Sequence, residues 1–202
     1  LSIGIHLTDC FTHWFRRSCR NAFSSPGFCF ADSQAAFTLS MPTVMPREGF
    51  AFFPQSNYFF PRLFDTYTRK GNYELGLSVV DEALKTDSLN ELYLFAKSTM
   101  LLNLGRNAEC LDVSNRLIAV NDQMADAYYN AGTACLNIIL NMDSRRHKKQ
   151  IRKMYQKAQP YMETYRRLAP EAKDKWGPAL YRIYFNLNLG KQFDEIDKVL
   201  KK

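Results

Sequence analysis

Seven basic side chains crowd residues 143–158: Arg145, Arg146, Lys148, Lys149, Arg152, Lys153 and Lys157, against one acid, Asp143. Side chains of this type at this density neutralise phosphates or carboxylates. The whole chain carries a formal charge of +7, so this tract holds nearly all of it and the remainder is close to neutral. The plainer alternative is the solvated outer face of a long amphipathic helix. No aromatics interleave with the charges as a base-stacking platform would need.

The other reactive residue types do not converge. There are three histidines, His6, His13 and His147, and His147 lies inside the basic run, where a solvated role is expected. His6, Cys10, His13 and Cys19 can be drawn together on paper, but their spacing fits no familiar zinc pattern. Five cysteines with no C-x-x-C spacing argue against a disulfide framework or a redox pair. Cys110 and Cys135 fall within apolar helical stripes, whereas Cys10, Cys19 and Cys29 lie near the N-terminus. No phosphate-cradling glycine loop and no strand-turn-helix nucleophile elbow is present. The expectation is a protein with no reaction centre, no cofactor, no metal and no small-molecule substrate.

No apolar run approaches the roughly 20 residues that span a bilayer. Leu7-Thr8-Asp9-Cys10 loosely resembles a lipoprotein cleavage site, but the acid before the cysteine argues against it. The chain opens on leucine and its first methionine is Met41, as expected of a fragment, a processed form or a reading frame extended upstream.

The elements that must position these residues divide the chain at about residue 57. In residues 1–22, Ile3, Leu7, Phe11, Trp14 and Phe15 recur near helical spacing and predict an amphipathic helix. Ser24-Ser25-Pro26-Gly27 ends it. Pro42, Pro46 and Pro54 predict irregular chain over residues 28–56. Beyond that point helical periodicity is sustained. Gly71 and Gly105 stand 34 residues apart, each between two helical patterns. Phe60-x2-Leu63-Phe64-x2-Tyr67 is followed by Gly76-x3-Val80. Leu94-x2-Lys97-Ser98-x2-Leu101 is followed by Cys110-x3-Ser114, and Tyr128-x2-Ala131-Gly132-x2-Cys135 by Ala158-x3-Met162 and Pro170. Ser88-x-x-Glu91 reads as a capping box, and Asp122 or Asn121 as the cap of the third unit. Between Ala131 and Ala158 the chain is about fourteen residues longer than the period. Either a longer loop or an extended helix must take up the surplus, where the basic tract also sits. Ile151, Met154, Tyr155, Ala158, Met162 and Tyr165 give that helix a buried face. A fourth unit places Gly190 at its turn, and Pro178 predicts a helix starting near Gly177.

These spacings resemble the tetratricopeptide repeat, a helix–turn–helix unit with a 34-residue period. The closing units, with Ala158-Gln159-Pro160-Tyr161-Met162-Glu163 and Lys175-Trp176-Gly177-Pro178, resemble repeat proteins of gut anaerobic bacteria. The resemblance implies an all-α solenoid of about four antiparallel helix pairs in a right-handed superhelix. It covers residues 57–202, in units of about 57–90, 91–124, 125–170 and 173–202, after an extension over residues 1–56. It also implies export to a bacterial envelope, although no signal peptide opens this chain; a cytoplasmic protein is the alternative.

In such stacks the first helices line a concave groove that holds a peptide or protein. The corresponding positions are Arg62, Asp65, Phe95, Thr99, Tyr129, Asn130, Thr133, Tyr181 and Tyr184, with Asn130 placed to hold a ligand backbone. One variant of the family clamps a C-terminal carboxylate with lysines. Its lysine positions are occupied here by Pro61, Phe95 and Asp126, so no such clamp is expected. The expected function is a non-catalytic protein-interaction module or scaffold. The alternative is an anion-binding adaptor that uses the basic helix 145–157 on nucleic acid or a membrane surface.

Overall fold

A computed structural model describes residues 59–201. The expected N-terminal helix, the irregular stretch after it and the set His6, Cys10, His13, Cys19 lie outside these residues. Among the described residues there are eight α-helices and no strand. They are α1 (Phe59–Arg69), α2 (Tyr73–Thr86), α3 (Glu91–Asn103), α4 (Asn107–Val120), α5 (Ala125–Leu140), α6 (Lys148–Leu168), α7 (Lys173–Leu187) and α8 (Gly190–Leu200). Each helix packs on the next, and α3 also packs on α5. The first helices α3 and α5 are thus neighbours in one layer, as in an α-solenoid.

Three of the turns inside hairpins share one backbone device. Gly71 has φ 66° and Gly105 φ 72°, the left-handed region where a side chain is costly. After each, an amide reaches back over the helix end: Asn72 N–H to the Tyr67 carbonyl at 2.9 Å and Arg106 N–H to the Leu101 carbonyl at 2.9 Å. These bonds satisfy carbonyls the helix end would otherwise orphan. In the fourth hairpin Leu189 N–H makes the same bond to Tyr184 at 3.0 Å, and the left-handed residue is Asn188, φ 59°. Gly190, expected at the turn, is instead the first residue of α8. Asparagine tolerates this backbone region better than other residues with side chains, so the turn sits two residues earlier than the glycine suggested.

Other local expectations shift as well. The cap of α3 is Asn90, whose Oδ1 accepts from the Leu92 and Tyr93 amides; Ser88 is not the cap. At α5 the cap position is Met124, with no side-chain bond, while the Asn121 side chain accepts from the Gln123 amide in the preceding turn. α7 starts at Lys173, not near Gly177, and takes Pro178 into its interior. The Trp176 indole donates to the Pro170 carbonyl at 3.2 Å, anchoring the new first turn. The surplus of the third unit is divided between a connection over residues 141–147 and a 21-residue α6. Arg145 and Arg146 therefore lie in the turn before α6, and the helical part of the basic tract begins at Lys148.

The core is the set of faces that meet between hairpins. Leu94, Leu101, Leu117, Leu180, Ile183 and Ile196 are fully enclosed. Each contributes roughly 1.5–3 kcal/mol through apolar burial. Two glycines allow close approach: a Cβ on Gly76 would strike Met100, and one on Gly132 would lie 2.7 Å from the Met162 methyl and 3.0 Å from its Cγ. Lys97, which interrupts an apolar stripe, has its Nζ 2.7 Å from Asp81 Oδ1. It is an ion pair by distance but off the line of a hydrogen bond.

Cys110 and Cys135 are enclosed thiols. Burial pushes Cys110 up to about 12 and Cys135 up to about 11. A neutral thiol favoured by the fold keeps its full stabilisation below the unfolded value near 9 and loses it as pH climbs toward the folded value. Buried Tyr93 and half-buried Tyr161 shift upward for the same reason. Urea midpoints should hold steady up to about pH 9 and fall between pH 9 and 11. Iodoacetamide at pH 8 should modify Cys110 and Cys135 in unfolded but not native protein, by peptide mass mapping.

Candidate functional site

The candidate residues divide by depth. Arg62 and Asp65 are half-buried on α1, with Asp65 accepting from Arg69 at 2.9 Å. Phe95 on α3 is enclosed, its ring 6.5 Å from Phe64. Thr99, one turn further, is also enclosed.

Asn130 on α5 is only 4% exposed. Its amide nitrogen donates to Ser98 Oγ at 2.9 Å and to Thr99 Oγ1 at 3.2 Å. Ser98 Oγ in turn donates to the Phe95 carbonyl, and Cys110 Sγ donates to the Ser98 carbonyl at 3.2 Å. Four small polar side chains from α3, α4 and α5 thus close on one another at the seam between hairpins. Buried polar groups demand such partners. The Asn130 nitrogen is bonded across the α3–α5 seam, and the structure gives it a clasping role there.

Tyr129, its neighbour on α5, remains half-buried. Its ring lies 5.1 Å from that of Tyr165 on α6, and Lys175 Nζ on α7 sits 5.7 Å from its centroid. Thr133 lies one turn beyond Tyr129 and is half-buried too. These side chains come from consecutive first helices and from the helix packed behind them.

At the C-terminal hairpin the candidates do not gather. Tyr184 is 3% exposed, and its hydroxyl donates to Glu163 Oε1 at 3.0 Å. Burial and this carboxylate hold the phenol well above its ordinary value. Tyr181 packs its ring 4.6 Å from Phe193 of α8. The cause is the turn at Asn188. Asp65 precedes Gly71 by six residues, and Thr99 precedes Gly105 by six. Counted from Asn188, that position is Arg182; Lys175, seven residues before it, and Phe185, three after it, lie on the same side of α7 at helical spacing. Arg182 Nε donates to the Tyr155 hydroxyl at 3.2 Å, and Phe185 is 64% exposed. Lys175, Arg182 and Phe185 are candidates that sequence reasoning did not name; taking Asn188 as the left-handed residue points to Arg182.

The basic tract lies elsewhere. Arg145, Arg146, Lys148, Lys149, Arg152, Lys153 and Lys157 are all exposed, and Arg146 lies 3.5 Å from Asp143. Among the described residues no three His, Cys, Asp or Glu side chains converge in a metal-binding group. No helix among them is long and apolar enough to cross a membrane.

No family model and no curated protein matches the chain. Solved structures do. The human IFIT1 dimer with PPP-AAAA shares 14% identity at a TM-score of 0.62, over 78% of this chain and 35% of that one. This chain therefore spans about a third of IFIT1. MamA (residues 41 to the end) from Desulfovibrio magneticus RS-1 shares 16% identity at a TM-score of 0.60, over 96% of this chain and 94% of that one. TTC0263, a thermophilic TPR protein of Thermus thermophilus, shares 18% identity at a TM-score of 0.52, over 69% of each chain. Likeness at these identities is a likeness of fold, and the fold is the α-solenoid of tetratricopeptide repeats.

Proposed function

We propose that the protein is a non-catalytic interaction module that holds an extended peptide or protein segment along its first-helix face. The observation that carries this is Tyr129, half-buried on α5 with Tyr165 behind it and Lys175 beside it. An aromatic ring held from two sides loses little rotamer freedom on binding. A cation next to it adds attraction for an acidic side chain or a terminal carboxylate. Thr133, one turn along, supplies a hydroxyl for a ligand backbone.

The test is selection of a phage-displayed library of random 12-residue peptides on the purified chain, followed by fluorescence polarisation with the synthetic winners. Tyr129→Ala should weaken those peptides about tenfold or more, near 1.4 kcal/mol, in a chain that stays folded, with its melting temperature lowered by only a few degrees. Binding should persist in 0.5 M salt, because its main term is apolar contact. Winners that bind Tyr129→Ala as well as the parent chain would remove this face from consideration.

A further inference from the structure

We propose that the exposed cationic tract, running from the α5–α6 turn along the outer side of α6, is a docking surface for the phosphodiester backbone of a nucleic-acid duplex, read by charge and not by sequence. It stands apart from the first-helix face and does not depend on it.

Elsewhere, among the described residues, four exposed cations are neutralised within a helical turn, while Arg116, Arg167, Lys191 and Lys198 make no ion pair. Arg69 pairs with Asp65, Lys85 with Glu82, Arg106 with Glu109 and Lys201 with Asp197. In the tract, among the described residues, one ion pair, Arg146 with Asp143, engages only one of the seven cations. The tract thus holds six unpaired cations within thirteen residues, a density found nowhere else among the described residues. The first turn of α6 also holds no acid, whereas α2, α3, α4, α5 and α7 each have one there. The cations therefore add to the positive end of the helix dipole where those five helices offset it; α1 and α8 also lack a first-turn acid but carry no such cluster.

The arc they cover selects the partner. At about 100° per residue, Lys148 and Arg152 fall on one flank of α6, Lys149 on its crest, and Lys153 and Lys157 on the other flank. The outer two are about 180° apart around the helix. A planar headgroup layer meets the crest of such a ridge and little of its flanks. Two phosphate rails either side of a duplex groove meet both. The tract from Lys148 to Lys157 is about 13 Å long, enough to span about four phosphates of each strand at 3.4 Å per residue of strand.

The residues around it exclude the other readings. Tyr155 is buried, and Ile151 and Met154 are half-buried on the face packed into the stack. No ring is left on the outer side to stack on unpaired bases. The apolar side that an interfacial helix would push into a bilayer is already used within the fold.

The experiment measures anisotropy of a labelled 20-base-pair DNA duplex and the equivalent RNA duplex with the full chain, from 50 to 300 mM salt. Co-sedimentation with vesicles of three parts phosphatidylcholine to one part phosphatidylserine runs beside it. Binding to a duplex is expected, with log affinity falling against log salt at a slope of about −4 to −6, near −0.9 per phosphate neutralised. The DNA and RNA arms show which helix form is preferred. Reversal of Arg146, Lys149, Arg152 and Lys153 to Glu should reduce affinity by more than a hundredfold. Reversal of Arg69, Lys85, Lys198 and Lys201 changes net charge equally and should cost less than threefold. If the first variant fails to fold, Gln at the same four positions replaces it, with at least a tenfold loss expected. Binding to neither duplex at 50 mM salt, binding to vesicles alone, or equal loss in both charge-reversed variants would overturn the proposal.

Discussion

Replacing Gly132 with leucine should destabilise the stack by about 2–3 kcal/mol and lower its melting temperature by roughly 4–12 °C. Gly132 lies in α5 where α6 crosses it, and even one added carbon would sit 2.7 Å from the Met162 methyl and 3.0 Å from Met162 Cγ. Rotating the methionine moves its tip, but Cγ is tied to the α6 backbone and yields less. Leucine adds three more carbons to a seam whose flanking residues, Ala131 and Met162, are already enclosed. Glycine in mid-helix forgoes about 1 kcal/mol of helix propensity, so part of the overpacking is offset. Shortening the obstacle isolates the cause. Gly132→Leu combined with Met162→Ala should be less unstable than the two single changes sum to, by about 1 kcal/mol or more. Thermal melts followed by circular dichroism read both quantities. An unchanged melt in Gly132→Leu would show that the seam is looser than the structure has it.

Asn130→Ala is expected to cost about 2–4 kcal/mol, although it removes no apolar group. The side-chain nitrogen bonds Ser98 Oγ and Thr99 Oγ1 across the seam between the second and third hairpins. Alanine leaves the Thr99 hydroxyl without its partner in an enclosed space, leaves Ser98 only its bond to the Phe95 carbonyl, and opens a small void. The Thr99 hydroxyl loses its partner outright, so Asn130→Ala with Thr99→Val should be more stable than additivity allows. Denaturant melts provide the measurement, and a cost below about 0.5 kcal/mol would show that water replaces the clasp. The result also governs how binding data are read. Loss of a ligand in Asn130→Ala reports a weakened scaffold, whereas the same loss in Tyr129→Ala, in a chain that stays folded, reports a contact.

Much of the architecture was legible because its signals are steric. Gly71 and Gly105 stand where the chain needs a left-handed residue, and few other residues satisfy that need cheaply. The stripe of Ile151, Tyr155, Ala158, Met162 and Tyr165 announces a helix with one buried side, because period and burial are the same fact. Boundaries were harder. Ser88 and Asn90 can both cap, and only the geometry of the preceding turn chooses Asn90. Pro178 reads as marking a helix start near Gly177, yet the Trp176 anchor to Pro170 draws the helix about four residues earlier. The groove residues were hardest. A position on a first helix says which way a side chain leaves the backbone, not what fills the space it enters. The Asn130 amide nitrogen and the Tyr184 hydroxyl both find partners inside the stack.

The turns closed by Gly71, Gly105 and Asn188 rely on backbone amides, so each hairpin completes its own bend without help from the rest. The tip between α5 and α6 is different, because residues 141–147 form a connection there that can lengthen without moving either helix out of place. Extra sequence at such a tip is grafted onto the perimeter, and the interior need not be rebuilt around it. The positively charged run begins in that graft. An array built this way can acquire or discard a peripheral trait, while the modules on either side keep their fit.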